Sequence, residues 1–176
     1  MESEGLYELI DGVLVEKKMS RRSTRVVGYF TTKLGAYLEA NPIGEVMPEQ
    51  SFRCFPQETR IRRPDVSVVM TARYAEDPQW DGHIRLRPDV VVEVVSPDDR
   101  ADDVQQKVED YRLAGVPIVW VAYPGPRVLH VHRADGTVTA LRPGDTLAGE
   151  PVLPGFAVAV DGLLPPGPPV LVADEA

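Results

Sequence analysis

The 176-residue sequence contains one cysteine, Cys54. A single thiol cannot close an intramolecular disulfide, and it excludes a zinc site built on several cysteines. Histidine is almost as scarce, with only His83, His130 and His132. No apolar stretch approaches the ~20 residues that a membrane-crossing helix needs. The first residues, MESEGLYELI, lack the basic-then-apolar layout of a secretion signal. A glycine-rich phosphate-binding loop is also missing, so nothing supports a small-molecule enzyme of the nucleotide-handling kind. There is no internal repeat. These absences point to a soluble, cytoplasmic protein with no membrane partner.

What is present amounts to one domain's worth of chain. It is 43 % hydrophobic and 26 % charged, enough to bury a core. The net charge of −8 argues against loose adhesion to nucleic acid. Its distribution is uneven. Residues 17–63 carry ten Lys or Arg against four acids, a net +6 that leaves −14 for the remainder. Either a basic lobe presents one face to a polyanion, or the charges solvate separate surfaces.

YELIDGVLVEKK reads as a β-hairpin, because Asp11-Gly12 supplies the positive φ angles of a tight two-residue turn. TRVVGYFTTKLGAYLEAN reads as a helix. Val26, Val27, Phe30, Leu34, Tyr37 and Leu38 recur at three- and four-residue spacing, and Asn41-Pro42 ends the run. IGEVMPEQSFRCF is extended, RRPDVSVVM is a short strand, and residues 71–86 form a polar loop anchored by Trp80. In RPDVVVEVVSPDD, five valines surround Glu93, which suggests a central strand buried on both faces. A helix to about Leu113 follows, capped by Ser96 or Asp99 and stopped by Gly115. VPIVWVAY is a second buried strand, with Trp120 in the core. PRVLHVHR and TVTAL form a hairpin around Ala134-Asp135-Gly136, and FAVAV closes the fold. The expectation is an α/β domain over residues 1–162 with a mixed sheet. Its strand–helix–strand unit at 89–123 makes a crossover between parallel strands. Residues 163–176 read as a Pro-rich flexible tail.

Alternation places Asp89, Val91, Glu93 and Val95 on one strand face and Val90, Val92 and Val94 on the other. A lone ionised carboxylate inside a core costs several kcal/mol, so Glu93 needs a partner. One candidate is Lys107 on the following helix, which shares a face with Asp103 and Tyr111. The other is a divalent ion shared with a second carboxylate. Asp65 fits that role, since RRPDVSVV echoes RPDVVVEVV and neighbouring strands would set the two acids face to face. Hard oxygen donors of this kind suit Mg²⁺. His130 and His132 share a strand face but lack a third ligand, and His83 has no recognisable partner. Cys54 reads as buried rather than nucleophilic. Asp89 and Asp103 read as caps or supporting charges.

The Pro-Asp, the acid within an apolar strand and the later lysine resemble the PD-(D/E)XK nuclease superfamily. More narrowly, the chain resembles the Uma-two family of restriction-endonuclease domains. The resemblance is carried by YELIDGVLVE, RRPDVSVV, PDVVVEVVSPDDRADDVQQKVEDYRLAGVPIVWVAYP and the late PGF. It implies a restriction-endonuclease-like mixed β-sheet flanked by helices, with additional hairpins. The lysine of the superfamily's E-x-K would fall on Val95, so the resemblance implies that Lys107 takes its place from the helix. It further implies Mg²⁺- or Mn²⁺-dependent hydrolysis of DNA phosphodiester bonds. Asp65, Glu93 and the Val94 carbonyl would hold the ion, while Lys107 orients water or stabilises the transition state. Glu8 could add a carboxylate, and Tyr111 could buttress Lys107 or only pack. A homodimer would suit the cutting of two strands. The rival reading is a catalytically silent nuclease-fold protein with a binding or regulatory role.

Overall fold

The protein is described by a computed structural model covering residues 5–57, 59–78 and 81–167. Trp80 and residues 168–176 lie outside the described residues.

The chain opens with the expected hairpin, β1 (Tyr7–Ile10) and β2 (Val13–Glu16). Asp11 (φ 50°) and Gly12 (φ 83°) both take positive φ, as the two-residue turn requires. Helix α1 (Arg21–Ala40) follows, with the Ser20 side chain accepting from the Ser23 N–H at its start. Strands β3 (Gly44–Pro48), β4 (Val66–Met70) and β5 (Val90–Val94) lead into helix α2 (Ala101–Leu113). Then come β6 (Ile118–Tyr123), β7 (Val128–Arg133), β8 (Val138–Leu141), β9 (Thr146–Ala148), β10 (Ala157–Ala159) and the short α3 (Val160–Leu163).

Six of these strands form one mixed sheet in the order β3-β4-β5-β6-β7-β8. All neighbours are antiparallel except β5 and β6, which run parallel and are joined through α2. That is the arrangement expected of a strand–helix–strand crossover. Gly115 (φ 78°) ends α2 and turns the chain into β6. The β1–β2 and β9–β10 hairpins sit outside this sheet as separate pairs.

The period-two pattern of β5 divides the core in two. Val90, Val92 and Val94 pack with Ile118, Trp120 and Ala122 against Val26, Phe30, Leu34 and Leu38 of α1. On the opposite face Val91, Val119 and Val121 pack against Val108 and Tyr111 of α2. Glu93 shares that second face. Leu163 and Leu164, which the sequence reading put at the start of the tail, are buried with the α1-side core.

Two local expectations need correction. Ser96 and Asp99 do not cap α2: Asp99 instead accepts the Ser96 N–H at 2.7 Å, and the helix starts two residues later at Ala101. The Ser96 hydroxyl bonds the Ser23 hydroxyl at 2.9 Å and accepts the Ser20 N–H at 3.2 Å, tying β5 to the start of α1. The 71–86 loop contains a 3-10 turn at Thr71–Glu76, and His83 has a partner there, the Ser51 hydroxyl at 2.7 Å.

Trp120 is fully buried between Phe30 and Phe156, with ring centroids at 6.1 and 5.7 Å. Trp120→Ala should lower stability by about 3–5 kcal/mol, read as a shift of the urea unfolding midpoint.

Candidate active site

The antiparallel register of β4 and β5 pairs Val66 with Val92. One residue further along, that register sets Asp65 opposite Glu93. Both acids are buried on the α2 side of the sheet, with 2 % and 5 % exposure. Asp65 caps the edge of the ladder, its Oδ2 accepting the Val94 N–H. Glu93 is held by α2: Tyr111 donates its hydroxyl to Oε1 at 2.6 Å, and the Lys107 ammonium reaches Oε2 at 3.0 Å. Lys107 and Tyr111 are four residues apart, so one helix face delivers both donors. Tyr111 therefore buttresses Glu93 rather than Lys107.

The β1–β2 hairpin closes the site from the other side. Its backbone docks on the 59–63 segment through the Leu9–Ile61 pair of hydrogen bonds at 3.0 and 2.8 Å. This brings Glu8 Oε2 to 3.6 Å from Lys107 and 3.1 Å from Arg62. Arg62 also pairs with Asp110 at 2.6 Å, and Asp110 in turn binds Arg60. At the hairpin's end the Lys17 ammonium lies 2.6 Å from Asp65 Oδ1 and 2.9 Å from Glu49 Oε2.

Burial alone would raise the Glu93 carboxyl, but the Lys107 and Lys17 charges and the Tyr111 hydrogen bond outweigh it and hold the group below the ordinary glutamate range. Burial pushes Asp65 up to about 6 despite the opposing Lys17 charge. The Lys107 ammonium is pushed upward: desolvation opposes its charge, yet Glu93, Glu8 and Asp65 together prevail. At neutral pH the site thus holds charged carboxylates facing charged lysines. A cleft of about 430 Å³ opens over them, lined by Glu8, Lys17, Asp65, Glu93, Val94 and Lys107 among others.

The structure therefore brings together Asp65, Glu93, Lys107, Glu8 and Tyr111, with Val94 at the cleft wall. The sequence reading missed Lys17, Arg62 and Asp110. Lys17 was accessible in principle, because counting outward from the Asp11-Gly12 turn places it on the hairpin face of Glu8 and Val15. Arg62 and Asp110 give no local signal, since only tertiary docking joins them. The remaining candidates lie outside this cluster. Asp89 is structural, accepting the Met70 N–H at 2.9 Å and Arg73 at 3.0 Å. Asp103 is exposed at the cleft rim. His130 and His132 are half-buried neighbours, and among the described residues no group of three or more His, Cys, Asp or Glu could hold a metal ion. Burial pushes the Cys54 thiol up to about 12, which makes it a poor nucleophile.

A family model, Uma2, described as a putative restriction endonuclease, matches residues 1–161. The chain belongs to the Uma2 family. Its fold is that of a solved protein titled a putative nuclease of DUF820 from Anabaena variabilis ATCC 29413. The two share 18 % identity and a TM-score of 0.79, over 93 % of this chain and 92 % of that one. No curated protein matches this Uma2 domain. Among its described residues no helix is long and apolar enough to cross a membrane.

Arg62 joins Glu8 on the hairpin to Asp110 on α2, with 2 % of its side chain exposed. Arg62→Met should cost about 3–5 kcal/mol in urea unfolding, because it leaves two buried carboxylates short of a partner. Arg112→Gln, in an exposed pair with Glu109, should produce no measurable change.

Proposed function

We propose that this Uma2 domain is a metal-dependent endonuclease that hydrolyses DNA phosphodiester bonds. The observation that carries the reading is the convergence of Asp65, Glu93 and Lys107 on the floor of one open cleft. The donor set suits a hard divalent cation: two carboxylates on adjacent strands and a strand carbonyl, all oxygen. Asp65, Glu93 and the Val94 carbonyl would hold Mg²⁺ or Mn²⁺, with water and substrate phosphate filling the rest of the shell. When bound, the ion supplies charge stabilisation at the phosphate and acidifies water.

The protein's own groups supply the remainder. Lys107, steadied between Glu93 and Glu8, donates to the charge that develops on the phosphoryl oxygens. Tyr111 fixes the Glu93 rotamer through its 2.6 Å hydrogen bond. Glu8 contributes a further acid beside Lys107.

DNA as substrate is supported by the surface beside the site. Lys18, Arg21, Arg22 and Arg25 are exposed and make no ion pair among the described residues. The three arginines line a second cleft of about 460 Å³ with Tyr29. Arg21 and Arg22 occupy the first turn of α1, where the helix dipole disfavours cations. Stability gives no reason for them, whereas a phosphate backbone does. The exposed apolar residues Val13, Leu14 and Val15 of the hairpin offer a surface for a homodimer that would address two strands.

A catalytically silent, nuclease-fold binding or regulatory protein is the second reading. It is favoured by Val95, which stands where the E-x-K lysine would fall, and by the prior engagement of Asp65 with Lys17.

Supercoiled plasmid incubated with Mg²⁺ or Mn²⁺ distinguishes the two. The wild type should nick or linearise it, and Glu93→Ala or Lys107→Met should each slow cleavage by at least ~100-fold. If the wild type leaves every DNA form intact and calorimetry detects no divalent binding, the silent reading holds. Asp65 adds a pH signature. Ion binding needs its carboxylate, so Mn²⁺ affinity should be about tenfold weaker at pH 5 than at pH 7, given a group titrating near 6. A flat affinity between those pH values would remove Asp65 from the ligand set.

A further inference from the structure

Lys17 has no part in the chemistry above, yet it is among the most completely engaged cations in the protein. Its ammonium touches Asp65 Oδ1 at 2.6 Å and Glu49 Oε2 at 2.9 Å, and it donates to the Arg63 carbonyl at 2.8 Å. Three acceptors use all three of its donors. Only 8 % of the side chain is exposed. Asp65 is equally complete, since its other oxygen accepts the Val94 N–H. Without an ion, then, both Asp65 oxygens are occupied, one of them by a side chain from the end of the hairpin.

We propose that Lys17 is a tethered counter-ion: its ammonium occupies the cation position at Asp65 in the metal-free protein and is displaced when a divalent ion binds. The proposal rests on the reading of Asp65 as an ion ligand.

The physical reason is charge and space. Asp65 and Glu93 face each other in a desolvated setting, and two carboxylates so placed need compensating positive charge. Lys107 serves Glu93, and Lys17 serves Asp65. A bound Mg²⁺ sits about 2.1 Å from its oxygens. An ammonium at 2.6 Å from the same oxygen would then lie within a few ångströms of a dication, a strongly repulsive arrangement outside bulk water. One of them has to leave. The route is short. The Lys17 N–H is fixed to the Leu6 carbonyl at 2.8 Å, so the backbone stays while the flexible four-carbon stem swings. Glu49 and the Arg63 carbonyl, already its partners, remain as acceptors for the displaced ammonium. Such a tether keeps the carboxylates neutralised when no ion is present, and it lowers the affinity of the site by competition.

The test measures Mn²⁺ binding by calorimetry and by electron paramagnetic resonance for the wild type, Lys17→Gln and Lys17→Met. Both variants should bind at least ~10-fold more tightly, and their thermal midpoints should fall below the wild type without Mn²⁺ and recover with it. Equal or weaker binding by the variants, with binding by the wild type intact, overturns the tether alone. Absence of binding by all three proteins overturns the ion-ligand reading and the tether with it. A second arm uses only the wild type, so it does not depend on a variant that folds. Lysine side-chain NMR should show a protected Lys17 ammonium in metal-free protein, and saturating Mg²⁺ should abolish that protection. An unchanged Lys17 signal at Mg²⁺ saturation overturns the proposal.

Discussion

A carboxylate on a strand buried from both sides governs the architecture of the cleft. Glu93 sits in the five-residue strand Val90–Val94, whose every position is buried. The surroundings must answer that charge, and they do so in layers. Lys107 and Tyr111 approach from α2, which fixes the rotation of the helix over the sheet. Lys107 then brings Glu8 close, Glu8 engages Arg62, and Arg62 meets Asp110 back on α2. The chain of alternating charges closes on the helix where it began. Removing any member would expose an uncompensated neighbour, so the network ties the placement of the hairpin to that of α2.

Much of this was legible in the sequence because it is local or periodic. The valine run announced a central strand, and the three- and four-residue spacing from Val26 to Leu38 announced α1. The Asp11-Gly12 turn fixed the pairing of the first hairpin. The candidate trio of Asp65, Glu93 and Lys107 was reached from alternation, from the repeated Pro-Asp phrase and from the family resemblance together. What escaped was what depends on docking. Arg62 and Asp110 are 48 residues apart and meet only because the hairpin and the 59–63 segment pack beside α2. The capping of α2 was misjudged for a different reason. Ser96 has two possible uses, and the Ser20 N–H and the Ser23 hydroxyl, invisible as neighbours in the sequence, claimed its side chain.

The fold of this chain recurs at low identity. The solved DUF820 protein, with 18 % identical residues, matches it over nearly the whole chain. That fits a structure specified by the period of its apolar residues and by a few turns rather than by particular side chains. The proposed use of Lys107 on the helix, in place of a strand lysine at Val95, follows the same logic. A long stem can deliver an ammonium from a different element, provided the carboxylate it serves does not move.

The first hairpin is attached in an unusual manner. All four residues of β2 are exposed, and Val13 and Leu14 retain more than half of their surface in solvent. Little apolar area fastens this arm to the body. Its anchors are backbone pairing with Ile61 and ionic contacts through Glu8, Asp11 and Lys17. Dissolved electrolyte screens the exposed Asp11 contact but barely reaches the Glu8 and Lys17 pairs, which are buried. The arm is consequently clamped over the cleft by sheltered charges, and only its turn at Asp11 answers to the ionic strength around it.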